Sequence, residues 1–167
     1  MNRIAVNIEE GVSAKACRPD LRKSLSAYTL KVLKHIELDN WDLSILICTD
    51  ETIKALNTQY RNIPEPTDVL SFELGAQETS PDGSIRFIPG DIVISLDSLQ
   101  ENARYYKISD DEELRRLLIH GILHLKGMDH KTNDAGEAMI IFQEDILKAL
   151  KGEHIFLNPD LMHGGNK

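Results

Sequence analysis

Residues 4–8, IAVNI, alternate apolar and polar side chains, the period of two that marks a short half-buried strand. The period then changes. Leu21, Leu25, Tyr28, Val32 and Ile36 recur at helical spacing, with Pro19 near the first turn where its missing N–H costs least, and predict one amphipathic helix. WDLSILICT (41–49) alternates again and is rich in β-branched and apolar residues. Asp50 then offers an N-cap to a short helix carrying Ile53, Leu56 and Tyr60, which NIPEP (62–66) stops. TDVLSFEL (67–74) reads as another strand. The polar segment GAQETSPDGSIRFIPG (75–90) holds Pro and Gly turn signals and reads as a loop or a long hairpin arm before the strand GDIVIS (90–95).

Helical character takes over from there. One helix runs from about Leu96 to Tyr106, and a second is entered through SDDE (109–112), where Ser109 and Glu112 have capping-box spacing. Leu114, Leu117, Leu118, Ile119, Ile122, Leu123 and Leu125 put apolar groups on nearly every side of it, so it is expected to be a buried central helix. A last helix spans about Asp134 to Leu150, and the end of the chain from about residue 158 reads as a flexible tail. The expected fold is α+β: a single domain, residues 1–167, with a small mixed sheet of about four strands packed with about five helices.

Composition narrows the function classes. A chain of 167 residues with 41% apolar side chains can bury one proper core. The N-terminus lacks the apolar stretch of a signal peptide, and apolar runs such as LSILIC fall far short of the ~20 residues that span a bilayer, so a soluble protein with no membrane partner is expected. Cys17 and Cys48 sit in no CxxC and suggest free thiols in a reducing cytoplasm. A net charge of −8 argues against a general nucleic-acid coat but leaves room for a local basic site.

The chemistry concentrates in HGILHLKGMDH (120–130), which holds three of the six histidines. His120 and His124 are one helical turn apart and lie on one face. Gly127 can end the helix in a left-handed cap and turn the chain back, which lets His130 come round as a third ligand. Three nitrogen ligands with an open fourth position is the arrangement of catalytic zinc, whereas structural sites are usually closed and rich in Cys. The spacing is that of the metzincin signature, but Gly121 stands where those proteases carry their glutamate base. Peptide hydrolysis therefore lacks its usual base. Gly121 costs about 1 kcal/mol against Ala inside a helix, which implies close packing at that point or space for substrate.

The whole pattern resembles the YbeY family of bacterial rRNA maturation factors, which are metal-dependent endoribonucleases. LNTQYRNIPEPTDVLSF (56–72) and GDIVIS (90–95) match the family's other hallmark segments in order and spacing. The resemblance implies a metzincin-like core and one Zn2+ held by His120, His124 and His130, with His120 counted among the catalytic residues. It further implies that Arg61 is needed for activity on RNA. A guanidinium suits that task, being always charged and presenting a planar fork to phosphate oxygens. A surface arginine at a helix end is the plain alternative.

Asp129 is placed to accept from a ligand imidazole, to serve as a base, or only to form the turn. Asp68 and Asp91 are expected to tie loops through side-chain hydrogen bonds. Lys126 and Lys131 flank the histidines, and His35, His154 and His163 have no partners at ligand spacing. The implied function is single-strand-specific endoribonuclease action in 16S rRNA 3′ end processing and ribosome quality control, on rRNA precursor, with the ribosome or ribosomal proteins as partners. Two alternatives stay open: a metal-dependent hydrolase of a non-RNA substrate, and a non-catalytic ribosome-assembly factor with a structural zinc.

Overall fold

Four strands and five helices make up the computed structural model, which describes residues 1–12 and 20–156. The expectations placed on Cys17, Pro19, His163 and the tail from residue 158 lie outside the described residues. The strands β1 (Arg3–Ile8), β2 (Trp41–Cys48), β3 (Val69–Thr79) and β4 (Ile85–Ser95) form one mixed sheet in the order β1-β2-β4-β3. β1 runs parallel to β2 and β2 parallel to β4, while β3 and β4 are antiparallel. Parallel neighbours need crossover connections. Helix α1 (Leu21–His35) supplies the first, and α2 (Asp50–Arg61) with β3 supplies the second.

Alternation along β2 sends Leu43, Ile45 and Ile47 into the main core, with Ile92 and Ile94 of β4 beside them. α1, α4 (Asp110–Leu125) and α5 (Ala138–Ala149) pack on that face. Cys48, Val93 and Leu70 point to the other face and meet Ile53 of α2 in a smaller cluster. α3 (Leu96–Tyr106) follows β4 directly and packs on α4. Helix α4 is buried along most of its length, as its apolar circumference requires. At its start the fully buried carboxylate of Asp111 accepts from Arg115 Nε (2.8 Å), His154 Nδ1 (2.9 Å) and the amides of Ile155 (2.7 Å) and Phe156 (2.9 Å). Among the described residues, no helix is long and apolar enough to cross a membrane.

Three details differ from the sequence reading. The cap of α2 is Thr49, whose hydroxyl accepts from the amide of Thr52, while Asp50 is the first helical residue and accepts from Ser95 Oγ on the neighbouring connection. A tertiary partner has taken the carboxylate away from its own helix. The segment 75–90 takes the hairpin alternative of the sequence reading, and the strand bounds differ: β3 continues past residue 74 to Thr79, and a turn in which Ser80 N donates to Ser84 O (2.8 Å) leads into β4 already at Ile85. Gly90 is required in that hairpin, because at its φ of +137° a Cβ would lie 1.9 Å from the Phe72 carbonyl oxygen. Finally, α5 begins at Ala138, because Asp134 closes a turn on the amide of Gly136 (2.9 Å) instead of opening the helix.

Candidate metal centre

Ser109 caps α4 by accepting from the amide of Glu112 at 3.0 Å, which fixes the frame of the helix. His120 and His124 then share one face, with Nε2 atoms 3.0 Å apart. At the helix end Gly127, at φ +103°, donates to the carbonyl of His124 (2.9 Å), and Met128 donates to that of Leu123 (3.0 Å). This pair of bonds is a Schellman ending. The reversal it produces brings His130 Nε2 to 3.3 Å from His120 Nε2.

The other nitrogen of each ring decides what the three Nε2 atoms can do. His120 Nδ1 faces Gln143 Oε1 at 2.7 Å, His124 Nδ1 faces the Met128 carbonyl at 3.2 Å, and His130 Nδ1 faces the Thr132 carbonyl at 2.8 Å. Carbonyl oxygens only accept, so each Nδ1 carries the proton and each neutral ring presents a bare Nε2 lone pair. Three lone pairs within 4.8 Å of one another repel unless a cation lies between them. Metal–nitrogen bonds of 2.0–2.1 Å at tetrahedral angles imply nitrogens about 3.3 Å apart, so the donor set fits a small divalent ion. Burial pushes the His120 and His124 imidazoles below their ordinary pKa, which keeps them in the neutral, ligating form.

Gly121 owes its identity to packing. A Cβ there would lie 2.9–3.1 Å from the side chain of Ile92, a fully buried residue of β4. The position where a metzincin carries its glutamate is thus filled by the sheet.

The histidines open into a cleft of about 590 Å³ between β3 and the end of α4. Arg61, the last residue of α2, lines it, and its Nη2 donates to the Ser71 carbonyl at 3.3 Å. Among the described residues lining the cleft, Arg61 carries the only fixed positive charge, against Asp68, Glu73 and Asp129. Asp129 accepts from the backbone amide of His130 (2.8 Å), a bond that shapes the turn. Asp68 ties its loop as expected, accepting from the Val69 amide (2.7 Å) and from Asn102 Nδ2 (2.9 Å). Asp91, Lys126 and Lys131 do not line the cleft, and Lys126 lies over the Phe142 ring instead.

Two residues were not singled out from the sequence. Gln143 is 5% exposed and holds His120; its signal is an amide at helical spacing between the buried Met139 and Ile146. Glu113 is 4% exposed, two turns before His120 on α4, and burial pushes its carboxyl up to about 7.

The family model described as Endoribonuclease YbeY matches residues 7–151, a span that contains Arg61, the three histidines and Gln143. The chain belongs to the YbeY endoribonuclease family. An Endoribonuclease YbeY of Treponema denticola is 52% identical over 126 residues, 75% of this chain and 81% of the relative. That of Persephonella marina is 39% identical over 153 residues, 90% of this chain and 94% of the relative. Among solved structures, the solution structure of TM1509 from Thermotoga maritima is similar over 98% of this chain and 99% of its own, at 25% identity with a TM-score of 0.55. The YbeY match thus extends from the first strand to just past α5, the helix that carries Gln143.

Proposed function

We propose that this chain is a zinc-dependent endoribonuclease that cleaves single-stranded RNA, with rRNA precursor as its substrate and the 3′ end of 16S rRNA as its processing site in the cytoplasm. The observation that carries the proposal is the meeting, across one cleft, of three bare imidazole nitrogens and the Arg61 guanidinium, in a chain of the YbeY family. Zinc, when bound by His120, His124 and His130, supplies Lewis acidity toward a phosphoryl oxygen. Arg61 spends one N–H on the Ser71 carbonyl and keeps its other donors for the non-bridging oxygens, where negative charge grows as the phosphodiester is cleaved. Gln143 and the Met128 and Thr132 carbonyls hold the rings in orientation.

Gly121, packed against Ile92, leaves no carboxylate in the protease position, which weighs against the peptide-hydrolase reading. With Arg61 as the one fixed cation among the described residues of the cleft and a net charge of −8, the chain's own hold on RNA phosphates is weak, which favours substrate presented by the ribosome or ribosomal proteins.

The test uses purified wild type, Arg61→Ala and His120→Ala, with metal content measured and product ends sequenced on rRNA precursor. Arg61→Ala is expected to retain fold and metal and to lose about 10²–10³ in cleavage rate. His120→Ala is expected to lose both metal and cleavage. Equal cleavage by all three proteins would assign the activity to a contaminant and overturn the proposal.

A further inference from the structure

A second cavity, of about 460 Å³, adjoins the metal cleft and shares Asp68, Val69, His120 and Asn133 with it. Its walls are of two kinds. Ile108, Leu117 and Ile140 give it apolar sides, and Tyr106, 63% exposed at the end of α3, stands beside them. Polar groups from α3 and α4 meet within it. Asn102 Nδ2 donates to Asp68 Oδ2 at 2.9 Å, and Glu113 lines the same cavity.

The charge of this cavity is decided by Arg116. Its Nε and Nη2 donate to the two oxygens of Glu144 (2.8 and 3.3 Å), and its Nη1 donates to Glu112 (3.2 Å). That guanidinium is already occupied by carboxylates and has little left for a phosphate. The floor is Asp68 together with Glu113, whose carboxyl lies 3.7 Å from Arg116 Nη1; once Glu113 is ionised, the floor disfavours an anion and favours N–H donors. An apolar slot with an exposed aromatic and acceptors at its base suits an unstacked nucleobase.

We infer that this cavity is a base-binding subsite, which takes a nucleotide flanking the scissile phosphate and prefers bases bearing an exocyclic amino group over uracil. The inference rests on the endoribonuclease reading. Adenine, cytosine and guanine each present an amino donor at the edge of the ring, whereas uracil has its one edge donor, N3–H, between two carbonyl oxygens that face the same acceptors. Tyr106 supplies a stacking face and Glu113 the discrimination. Phosphates on either side stay in the first cleft with Arg61.

The experiment measures, at pH 8 where Glu113 is ionised, binding of non-cleavable 2′-O-methyl oligomers of A, C and U to the zinc-loaded wild-type chain, Glu113→Gln and Tyr106→Ala, with thermal melts as a fold control. In parallel, cleavage of a randomised single-stranded RNA by the wild type is read by product-end sequencing. Wild type is expected to bind the A and C oligomers about tenfold or more tightly than U, and to deplete U at one position beside the cut. Glu113→Gln, nearly isosteric but carrying an N–H2 donor, should bring the three oligomers to within about threefold of one another. Tyr106→Ala should weaken all of them about fivefold or more without changing their ranking. Equal wild-type affinities, or a preference untouched in Glu113→Gln, would overturn the subsite while cleavage still upheld the endoribonuclease reading. A base preference in binding without any cleavage would overturn that reading and leave the subsite standing.

Discussion

The side-chain oxygen of Gln143 on α5 accepts from Nδ1 of His120 on α4 at 2.7 Å, so one histidine of the triad that could hold a metal takes its orientation from a helix that carries none of the three. Removing that acceptor should loosen the metal without opening the fold. Gln143→Leu is expected to lower metal affinity about 10–100-fold, and Gln143→Glu, which keeps an acceptor, to recover most of it. Competition against a chromogenic chelator measures both. Unchanged affinity in the leucine variant would mean that α4 alone orients the ring.

Gly121 and Ile92 test the contact between α4 and the sheet. Ala is the better helix former by about 1 kcal/mol, yet its methyl would lie 2.9–3.1 Å from a fully buried β-branched side chain. Overpacking of this kind costs about 1–3 kcal/mol. Gly121→Ala is therefore expected to lower the melting temperature, and pairing it with Ile92→Ala should relieve the clash so that the two losses do not add. Strictly additive losses in denaturant titrations would refute the contact.

Glu113 predicts a pH dependence with a definite sign. Burial raises its carboxyl from 4.5 to about 7 in the folded chain. Below pH 4.5 both states are protonated and the group costs nothing; as pH rises to 7 the unfolded state ionises first, so stability falls, and above 7 the loss is constant. Relative to Glu113→Gln, the wild type should lose about 2–3 kcal/mol across that window. Urea titrations of the two proteins at pH 5 and pH 8 provide the comparison, and an equal gap at both would contradict the raised pKa.

Asp111 joins the start of α4 to residues 154–156 through four bonds to one fully buried carboxylate. Asp111→Ala strands the Arg115 guanidinium and two buried amides and is expected to cost about 3–5 kcal/mol. The end of the described chain should also become open to proteolysis. Limited digestion with mass mapping would show it, and an uncut segment would speak against the clamp.

Legibility followed the range of the interactions. α3 and α4 could be read from the sequence because apolar spacing and a capping serine are local, and the convergence of the three histidines because eleven residues contain them all. The outer arm of the β3–β4 hairpin was harder to read. Its residues 77–79 are all exposed, so no alternation marks them. Asp50 misled for the opposite reason, since Ser95, 45 positions away, claims its carboxylate. Gln143 lies 23 positions from His120, and no spacing rule connects two helices before their packing is known. Arg61 came from the family resemblance, and the structure adds its anchor on Ser71.

Because His120, His124 and His130 lie within eleven residues, closing the loop between them costs the unfolded chain little. An ion that also binds the unfolded chain stabilises the native state only by the ratio of its two affinities. Any coupling between an ion bound by the triad and folding must then come mostly from what arrives later, chiefly Gln143. During synthesis the three histidines leave the ribosome before α5 does, so a nascent chain that takes up an ion there can hold it before the helix that orients His120 has been made.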